Sequence, residues 1–185
     1  MILAAAGKIV IEDGFAALKV RKVALEIGYT VGSIYMVFEN MGDLIMHVKA
    51  QTLDELADHL DEQGTDAEPK EQILQLAKSY LEFASENFNL WSMIFEHRLP
   101  EDEKTPDWYQ EKVDTSFVRV EKLLSQLAPD AKQSEVRSAS RALWSGVHGI
   151  CILSLTGNLD VLGIKDVKNN VSLLVTNFIR GWMNA

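Results

Sequence analysis

The chain has 185 residues, of which 47% are hydrophobic and 24% are charged, and its formal net charge is −9. This composition is typical of a globular domain, and a chain of this length buries roughly 70% of its unfolded surface without needing cross-links. Cys151 is its one cysteine, which excludes an internal disulfide and suits a reducing compartment. No apolar run approaches the roughly 20 residues of a membrane span, and no secretory signal opens the chain. We therefore expect a cytoplasmic protein without a membrane partner.

Apolar residues recur at helical spacing along the whole chain, and no alternating run is long enough to predict a strand. The pattern predicts an all-α fold of about nine helices. These cover 2–13, 20–27, 30–37, 42–62, 70–88, 89–97, 106–127, 132–156 and 167–183. Polar stretches containing Gly or Pro predict loops at 61–69, 100–106, 129–130 and 156–163.

Residues 20–37 fit a helix-turn-helix. Two helices that cross steeply need a small residue at their contact, which Ala24 provides, and a turn residue that tolerates positive φ, which Gly28 provides. Thr30 is a candidate N-cap for the second helix. That helix is predicted to turn three side chains toward the core, namely Ile34, Val37 and Phe38. The segment predicts a DNA-binding unit.

The stretch from Ile2 to Val48 resembles the amino-terminal domain of TetR-type transcriptional regulators. The resemblance is carried by ILAAAGKIVIEDGF, VRKVALEIGY and SIYMVF, and by the helix start Gly42-Asp43-Leu44. It implies a three-helix helix-turn-helix DNA-binding domain, here 1–46, followed by a helical ligand-binding and dimerisation domain, here 47–185. It further implies a homodimer that represses transcription until a small molecule binds.

The predicted DNA contacts lie on both helices of the motif. The cluster of basic residues before Val23 would meet phosphates, Gly32 would let the second helix approach the groove floor, and Val31 or Met36 would touch a thymine methyl. Tyr35 resembles the family tyrosine that donates its hydroxyl to the DNA backbone; the alternative is a core residue with one wet edge. The full predicted set is Lys19, Val20, Arg21, Lys22, Thr30, Val31, Gly32, Ser33, Tyr35 and Met36.

Charge distribution leaves a second interpretation open. Residues 1–50 contain five basic and five acidic side chains, so the deficit of nine lies outside the predicted DNA-binding domain. Met41 stands where relatives commonly carry a phosphate-binding lysine, and Lys19 stands where they tend to carry a serine or threonine cap. The alternative to a regulator is therefore a dimeric helical small-molecule-binding protein that has lost operator recognition.

Two recognition helices in a dimer, about 34–36 Å apart, would read a palindromic operator in double-stranded DNA. The segments 139–155 and 167–183 have wide apolar faces, which predict that they pair with their symmetry mates in a four-helix interface. The alternative is an intramolecular core alone. The residues predicted for the interface are Ser145, Gly149, Ile152, Val171, Leu174, Val175, Phe178 and Trp182.

The sequence LWSGVHG resembles a Trp-His-Gly carboxyl-terminal domain found in some TetR-type regulators. Large aromatic side chains with one imidazole suit a cavity for a small apolar or amphipathic effector. The predicted lining is Trp91, Phe95, Phe117, Trp144 and His148. The alternative is that these aromatic residues belong to the core and that His148 is a hydrogen-bonded core histidine. Helix 42–62 would transmit effector binding to the DNA-binding domain.

Catalytic patterns are weak in this sequence. The four histidines include no pair four residues apart, and no glycine-rich phosphate loop or nucleophile elbow is present. His148 and Cys151 share a helix face, yet their apolar surroundings would hold the thiol protonated. We therefore predict a protein that is not an enzyme and that needs neither a metal nor another cofactor.

Overall fold

A computed structural model of the chain describes residues 1–62, 66–100 and 104–184. Over these ranges the protein forms ten α-helices and two short 3₁₀ helices, with no strand, which confirms the predicted all-α class. The α-helices are α1 (Ile2–Asp13), α2 (Val20–Ile27), α3 (Val31–Tyr35), α4 (Met41–Asp61), α5 (Pro69–Glu86), α6 (Phe88–Glu96), α7 (Asp107–Thr115), α8 (Val118–Leu127), α9 (Gln133–Leu155) and α10 (Val167–Trp182). The 3₁₀ helices are Phe15–Ala17 and Asp160–Leu162. Parts of the loops predicted at 61–69 and 100–106, namely 63–65 and 101–103, lie outside the described residues.

The prediction of one helix over 106–127 is wrong, because α7 ends at Thr115 and α8 begins only at Val118. The sequence across the break, VDTSFV, consists of residues with low helix propensity. At the break, the backbone N–H of Phe117 donates to the carbonyl of Asp114 at 3.1 Å, three residues back, as in a tight turn. The Asp114 carboxylate accepts hydrogen bonds from Arg137 and Arg141 of α9, which anchors the break.

The chain packs as two compact units, of which the first is Met1–Glu55 with Asn87–Val113. Its core joins side chains from α1 to α4 with Leu90 and Met93 of α6. The Asn89 side chain also donates to the Ile11 carbonyl at 2.9 Å, which ties α6 to the end of α1. The helix-turn-helix therefore rests on α6 as well as on its own three helices.

The second unit is Leu56–Glu86 with Asp114–Ala185, and in it α5, α8, α9 and α10 pack on one another. Gly146 of α9 lies so close to α10 that an added Cβ would stand 2.8 Å from Leu174 Cδ2. Val171 and Val175 are fully buried inside this unit. Their prediction as interface residues is therefore wrong, because their surface is already covered within the protomer.

No helix in the described part of the chain is long and apolar enough to cross a membrane.

Candidate DNA-binding surface and effector site

The turn of the helix-turn-helix forms as the sequence predicts. Gly28 ends α2 with φ 72° and ψ 27°, a left-handed conformation that costs little without a Cβ. The N–H of Tyr29 then donates to the carbonyl of Ala24 at 2.9 Å, which closes the end of the helix. Ala24 itself is buried, so its small side chain permits the close approach of the two helices.

The second helix of the motif, α3, is short and capped. Thr30 Oγ1 accepts a hydrogen bond from the Ser33 N–H at 3.2 Å, and the two hydroxyl oxygens are 3.0 Å apart. Ile34 and Phe38 are buried as predicted, whereas Val37 is 66% exposed. The prediction for Val37 is wrong because α3 ends at Tyr35, so the helical spacing no longer directs this side chain inward.

The surface of α3 presents few polar groups. Met36 is 87% exposed, and Gly32 and Tyr35 are exposed beside it. Val20 and Val31 are half-buried and pack against the core of the first unit, which limits what they can offer to DNA. Ser33 is half-buried and its hydroxyl already contacts Thr30. The surface is thus formed mainly by Gly32, Tyr35 and Met36.

The basic cluster at the start of α2 is partly neutralised. Lys22 Nζ lies 2.6 Å from Asp13 Oδ2, and Lys8 Nζ lies 2.6 Å from Glu26 Oε1. The hydrogen bond and the negative charge of Glu26 raise the pKa of Lys8. Lys19 and Arg21 are exposed, and among the described residues neither forms an ion pair. These two side chains therefore supply the positive charge available to phosphates at this end of the motif.

The start of α4 shows what replaces the phosphate contact expected of relatives. Asn40 Oδ1 accepts a hydrogen bond from the Asp43 N–H at 2.9 Å, and Asp43 Oδ2 accepts one from the Glu39 N–H at 3.0 Å. These two side chains therefore cap the start of α4 by reciprocal hydrogen bonds, much as in a capping box. Met41 is half-buried and packs against the core of the first unit. The chain thus gains apolar packing at the position where a lysine would meet DNA.

Sequence reasoning missed the exposed apolar side chains around the motif. Leu25 is 82% exposed, and Tyr29 is exposed after the turn. The signal was present, because Leu25 lies off the inward face defined by Val23 and Ala24. Its exposure on a DNA-binding unit makes it a further candidate contact.

The predicted effector residues fall into two groups. In the second unit, Trp144 stacks on His148 with ring centroids 4.9 Å apart, and Phe117 meets Trp144 edge-on at 5.9 Å. In the first unit, the fully buried Trp91 contacts Phe95 edge-on at 5.5 Å. The sequence grouped all five, but the described contacts bring together three in one unit and two in the other.

A residue absent from the predicted lining completes the cluster in the second unit. The Tyr80 hydroxyl of α5 forms a 3.0 Å hydrogen bond with His148 Nδ1. Tyr80 is 68 positions away from His148, so helical spacing gave no signal for the pair. Burial lowers the pKa of His148, which favours the neutral imidazole at pH 7. The cluster therefore offers aromatic surface and a neutral hydrogen-bonding group.

The described ranges contain no cluster of three His, Cys, Asp or Glu side chains able to hold a metal ion. Cys151 is fully buried, and burial raises the pKa of its thiol to about 12. The thiol therefore stays protonated and cannot serve as a nucleophile beside His148.

The outer surfaces of α9 and α10 carry the other predicted interface residues. Ser145 is exposed, and Gly149, Ile152, Leu174 and Phe178 are half-buried. Trp182 packs within the protomer, where its indole N–H donates to the Leu124 carbonyl at 3.1 Å. The most exposed large apolar residues on the two helices are Leu153 and Leu173, each one position away from a predicted residue. On α9, Leu153 continues the row of the predicted Ser145 and Gly149 at four-residue spacing, and on α10 Leu173 precedes the predicted Leu174, so the predicted interface stays a prediction.

An amino-terminal helix-turn-helix followed by a helical carboxyl-terminal unit is an arrangement typical of DNA-binding regulators. The TetR family of bacterial regulatory proteins matches residues 2–48, and the tetracyclin repressor-like C-terminal domain matches residues 73–178. The chain belongs to the TetR family and is a DNA-binding transcriptional regulator.

Individual relatives agree with this assignment. An uncharacterized HTH-type transcriptional regulator of Mycobacterium tuberculosis, Rv0681, is 23% identical over 87% of this chain and 72% of its own length. A solved protein of unknown function from Rhodococcus sp. RHA1 shares the fold with a TM-score of 0.76 at 21% identity, over 97% of this chain and 92% of that one. BioQ, solved with its natural double-stranded DNA operator, has a TM-score of 0.68 at 19% identity, over 97% of this chain and 96% of its own.

Proposed function

We propose that this regulator is a cytoplasmic homodimeric repressor that places α3 in the major groove of a palindromic operator and leaves it when a small molecule binds. The observation that carries the proposal is the capped, outward-facing segment Thr30–Met36, whose outer side is free of charge. A helix with a small residue at its outer face can approach the base edges closely. BioQ, which shares the fold, has been solved with its double-stranded DNA operator, and this supports operator binding by this chain.

Base recognition through this segment would depend on apolar contacts. Residues 30–40 contain no Arg, Lys or Gln, the side chains that most often pair with purine edges together with Asn. The Asn40 side-chain oxygen is already engaged at the start of α4. Met36 and Val37 remain as exposed apolar side chains that suit thymine methyl groups. We therefore expect thymines at the positions that α3 meets.

Replacing Arg21 with alanine tests the proposed phosphate contact. A dimer loses two such contacts, so the slope of log K against log salt should become less negative by about 2. The loss of affinity should be similar for specific and unrelated duplexes, because phosphates carry no base sequence. Fluorescence anisotropy with the chain's own upstream duplex across a salt series measures both quantities.

Lys122→Ala is the matched control, because this exposed lysine lies on α8 in the second unit. An unchanged slope for Arg21→Ala, or an equal change for Lys122→Ala, would contradict the contact. Complete absence of salt-sensitive binding by the unchanged protein would instead favour the alternative of a small-molecule binder that has lost operator recognition. Two observations favour this alternative: Met41 replaces the lysine common in relatives, and residues 1–50 have a net charge of zero.

We assign dimerisation to the outer face of α9 and α10. Leu153 and Leu173 are exposed there, and Ser145 and Gly149 on the same face of α9 allow close helix approach. Gly146, by contrast, packs closely against Leu174 of the same protomer.

Changing Leu153 and Leu173 together to glutamate should convert the dimer into monomers, since four buried charges would face one another across the twofold axis. Sedimentation equilibrium measures the mass directly. Val118→Glu places the same residue at another exposed apolar position, on α8, and should leave the mass unchanged. A double variant that remains dimeric would refute this interface.

We place the effector against the cluster of Tyr80, Phe117, Trp144 and His148. The stacked rings offer apolar contact, and the Tyr80–His148 pair offers a neutral polar group, which suits a small apolar or amphipathic molecule. The effector must bind the DNA-free form more tightly than the DNA-bound form to act as an inducer. Since α4 contributes residues to both units, we propose that it transmits the effect.

A further inference from the structure

Lys49 is a buried cation that has no counter-ion among the described residues. This residue of α4 is only 6% exposed. Its Nζ lies 3.4 Å from the backbone carbonyl oxygen of His97 and 5.3 Å from the centroid of the Tyr109 ring. Ion pairs are found for Lys8, Lys22, Lys112 and Lys168, but none is found for Lys49 among the described residues. The proposed operator and effector contacts make no use of this lysine.

Neither titratable side chain that is described beside Lys49 neutralises it. Burial raises the pKa of Tyr109 to about 12, so the phenol stays uncharged. Burial and, secondarily, the charge of Lys49 lower the pKa of His97, so the imidazole stays neutral as well. Burial also lowers the pKa of Lys49 itself. A buried ammonium that lacks a partner costs several kcal/mol, which an anion placed beside it would offset.

The residue that Lys49 contacts carries an unsatisfied group. His97 Nδ1 is buried and has no hydrogen-bond partner among the described residues. In the tautomer that carries a proton on Nδ1, this nitrogen is a donor. The backbone carbonyl of the same residue accepts the long hydrogen bond from Lys49, so the buried ammonium and this unsatisfied nitrogen both lie beside the end of α6.

Tyr109, which Lys49 contacts, belongs to a buried apolar cluster. Met46, Ala50, Leu53, Ile94 and Tyr109 make a buried cluster, with Leu99 and Val113 packed against it. One cation and one neutral donor within apolar surroundings match a ligand with a single negative charge and an apolar body. A phosphate ester carries more charge than one lysine can balance.

We propose that Lys49 and His97 bind the carboxylate of an amphipathic monocarboxylic acid whose hydrocarbon part packs in the cluster around Met46 and Ile94. The ammonium donates a charge-assisted hydrogen bond to one carboxylate oxygen, and His97 Nδ1–H donates to the other. This site lies in the first unit and is separate from the Tyr80–His148 cluster of the second. The binding of the carboxylic acid at this site does not depend on the proposed function.

Octanoate is the probe, with 1-octanol as its uncharged counterpart of equal chain length. At a concentration 100 times its Kd, octanoate should raise the Tm of the unchanged full-length protein by about 5–10 °C, whereas octanol at the same concentration should not. Lys49→Met removes the charge and keeps the length of the side chain. Without any ligand this variant should melt higher than the unchanged protein, because a buried uncompensated charge has been removed.

In Lys49→Met the octanoate shift should disappear, while Lys112→Met should retain it, since Lys112 is already paired with Asp54 at 2.5 Å. His97→Phe keeps a ring beside Phe15, whose centroid lies 6.0 Å from that of His97, and should weaken octanoate binding about tenfold by calorimetry. Equal shifts in Lys49→Met and the unchanged protein, or equal shifts with octanol and octanoate, would overturn the proposal. Anisotropy with the operator duplex is measured separately, so a failure of DNA recognition is distinguishable from a failure of this site.

Discussion

Replacing Trp91 with alanine is expected to lower the free energy of unfolding by about 3–5 kcal/mol, with or without an effector. Trp91 is fully buried in α6 and lies between Phe88 and Phe95, with ring centroids at 6.3 and 5.5 Å. The truncation removes this contact area and leaves a cavity that close-packed neighbours cannot fill. Urea denaturation followed by circular dichroism measures the loss.

Trp108→Ala serves as the comparison, because Trp108 is partly exposed and stacks on His47 at the surface of α7. Its loss should cost about 1 kcal/mol, since little buried area disappears. Comparing the two variants decides whether Trp91 is a core residue or lines an effector cavity, the two interpretations that the sequence allows. A small loss of stability in Trp91→Ala, together with loss of effector binding, would show that the side chain lines a cavity rather than the core.

Replacing Gly32 with glutamate is expected to reduce operator affinity by at least about 100-fold while leaving the fold intact, because like charges brought together at an interface cost several kcal/mol. Gly32 is exposed in α3, and a Cβ built there would meet only Thr30 Oγ1, at the ordinary contact distance of 3.7 Å. The new carboxylate would face the phosphates and base edges once in each subunit. Anisotropy with the upstream duplex measures affinity, and thermal melting checks the fold.

Ser85→Glu introduces the same charge on an exposed position of α5 and controls for the change in net charge. Its operator affinity should fall by no more than about twofold, because Ser85 lies outside the helix-turn-helix. Strong operator binding by a folded Gly32→Glu protein would mean that α3 is not the segment in the groove. That result would contradict the proposed function, which depends on α3 binding in the groove.

The sequence predicted the helix-turn-helix well because its determinants are local. The positive φ of Gly28 and the cap at Thr30 are set by residues within four positions of each other, and both form as expected. The end of α3 and the break between α7 and α8 were missed for the opposite reason. Apolar spacing continues through Val37 and through 113–118, so periodicity alone does not show where the hydrogen bonding stops.

Contacts between distant segments could not be predicted from spacing. The Lys22–Asp13 pair, the Tyr80–His148 bond and the approach of His97 to Lys49 each depend on how separate helices pack. The same limit explains Val171 and Val175. An apolar helix face must be covered, but the sequence does not say whether a neighbour in the same chain or a second subunit covers it.

The buried thiol of Cys151 has a practical consequence. A protonated thiol without solvent access reacts slowly with maleimides, peroxide and disulfide reagents, so it does not compete with a cysteine introduced elsewhere. A Met36→Cys protein would therefore accept a nitroxide or fluorophore at one position per chain, on the surface of α3. In the proposed dimer, the distance measured between two such probes would give the separation of the two recognition helices directly in solution.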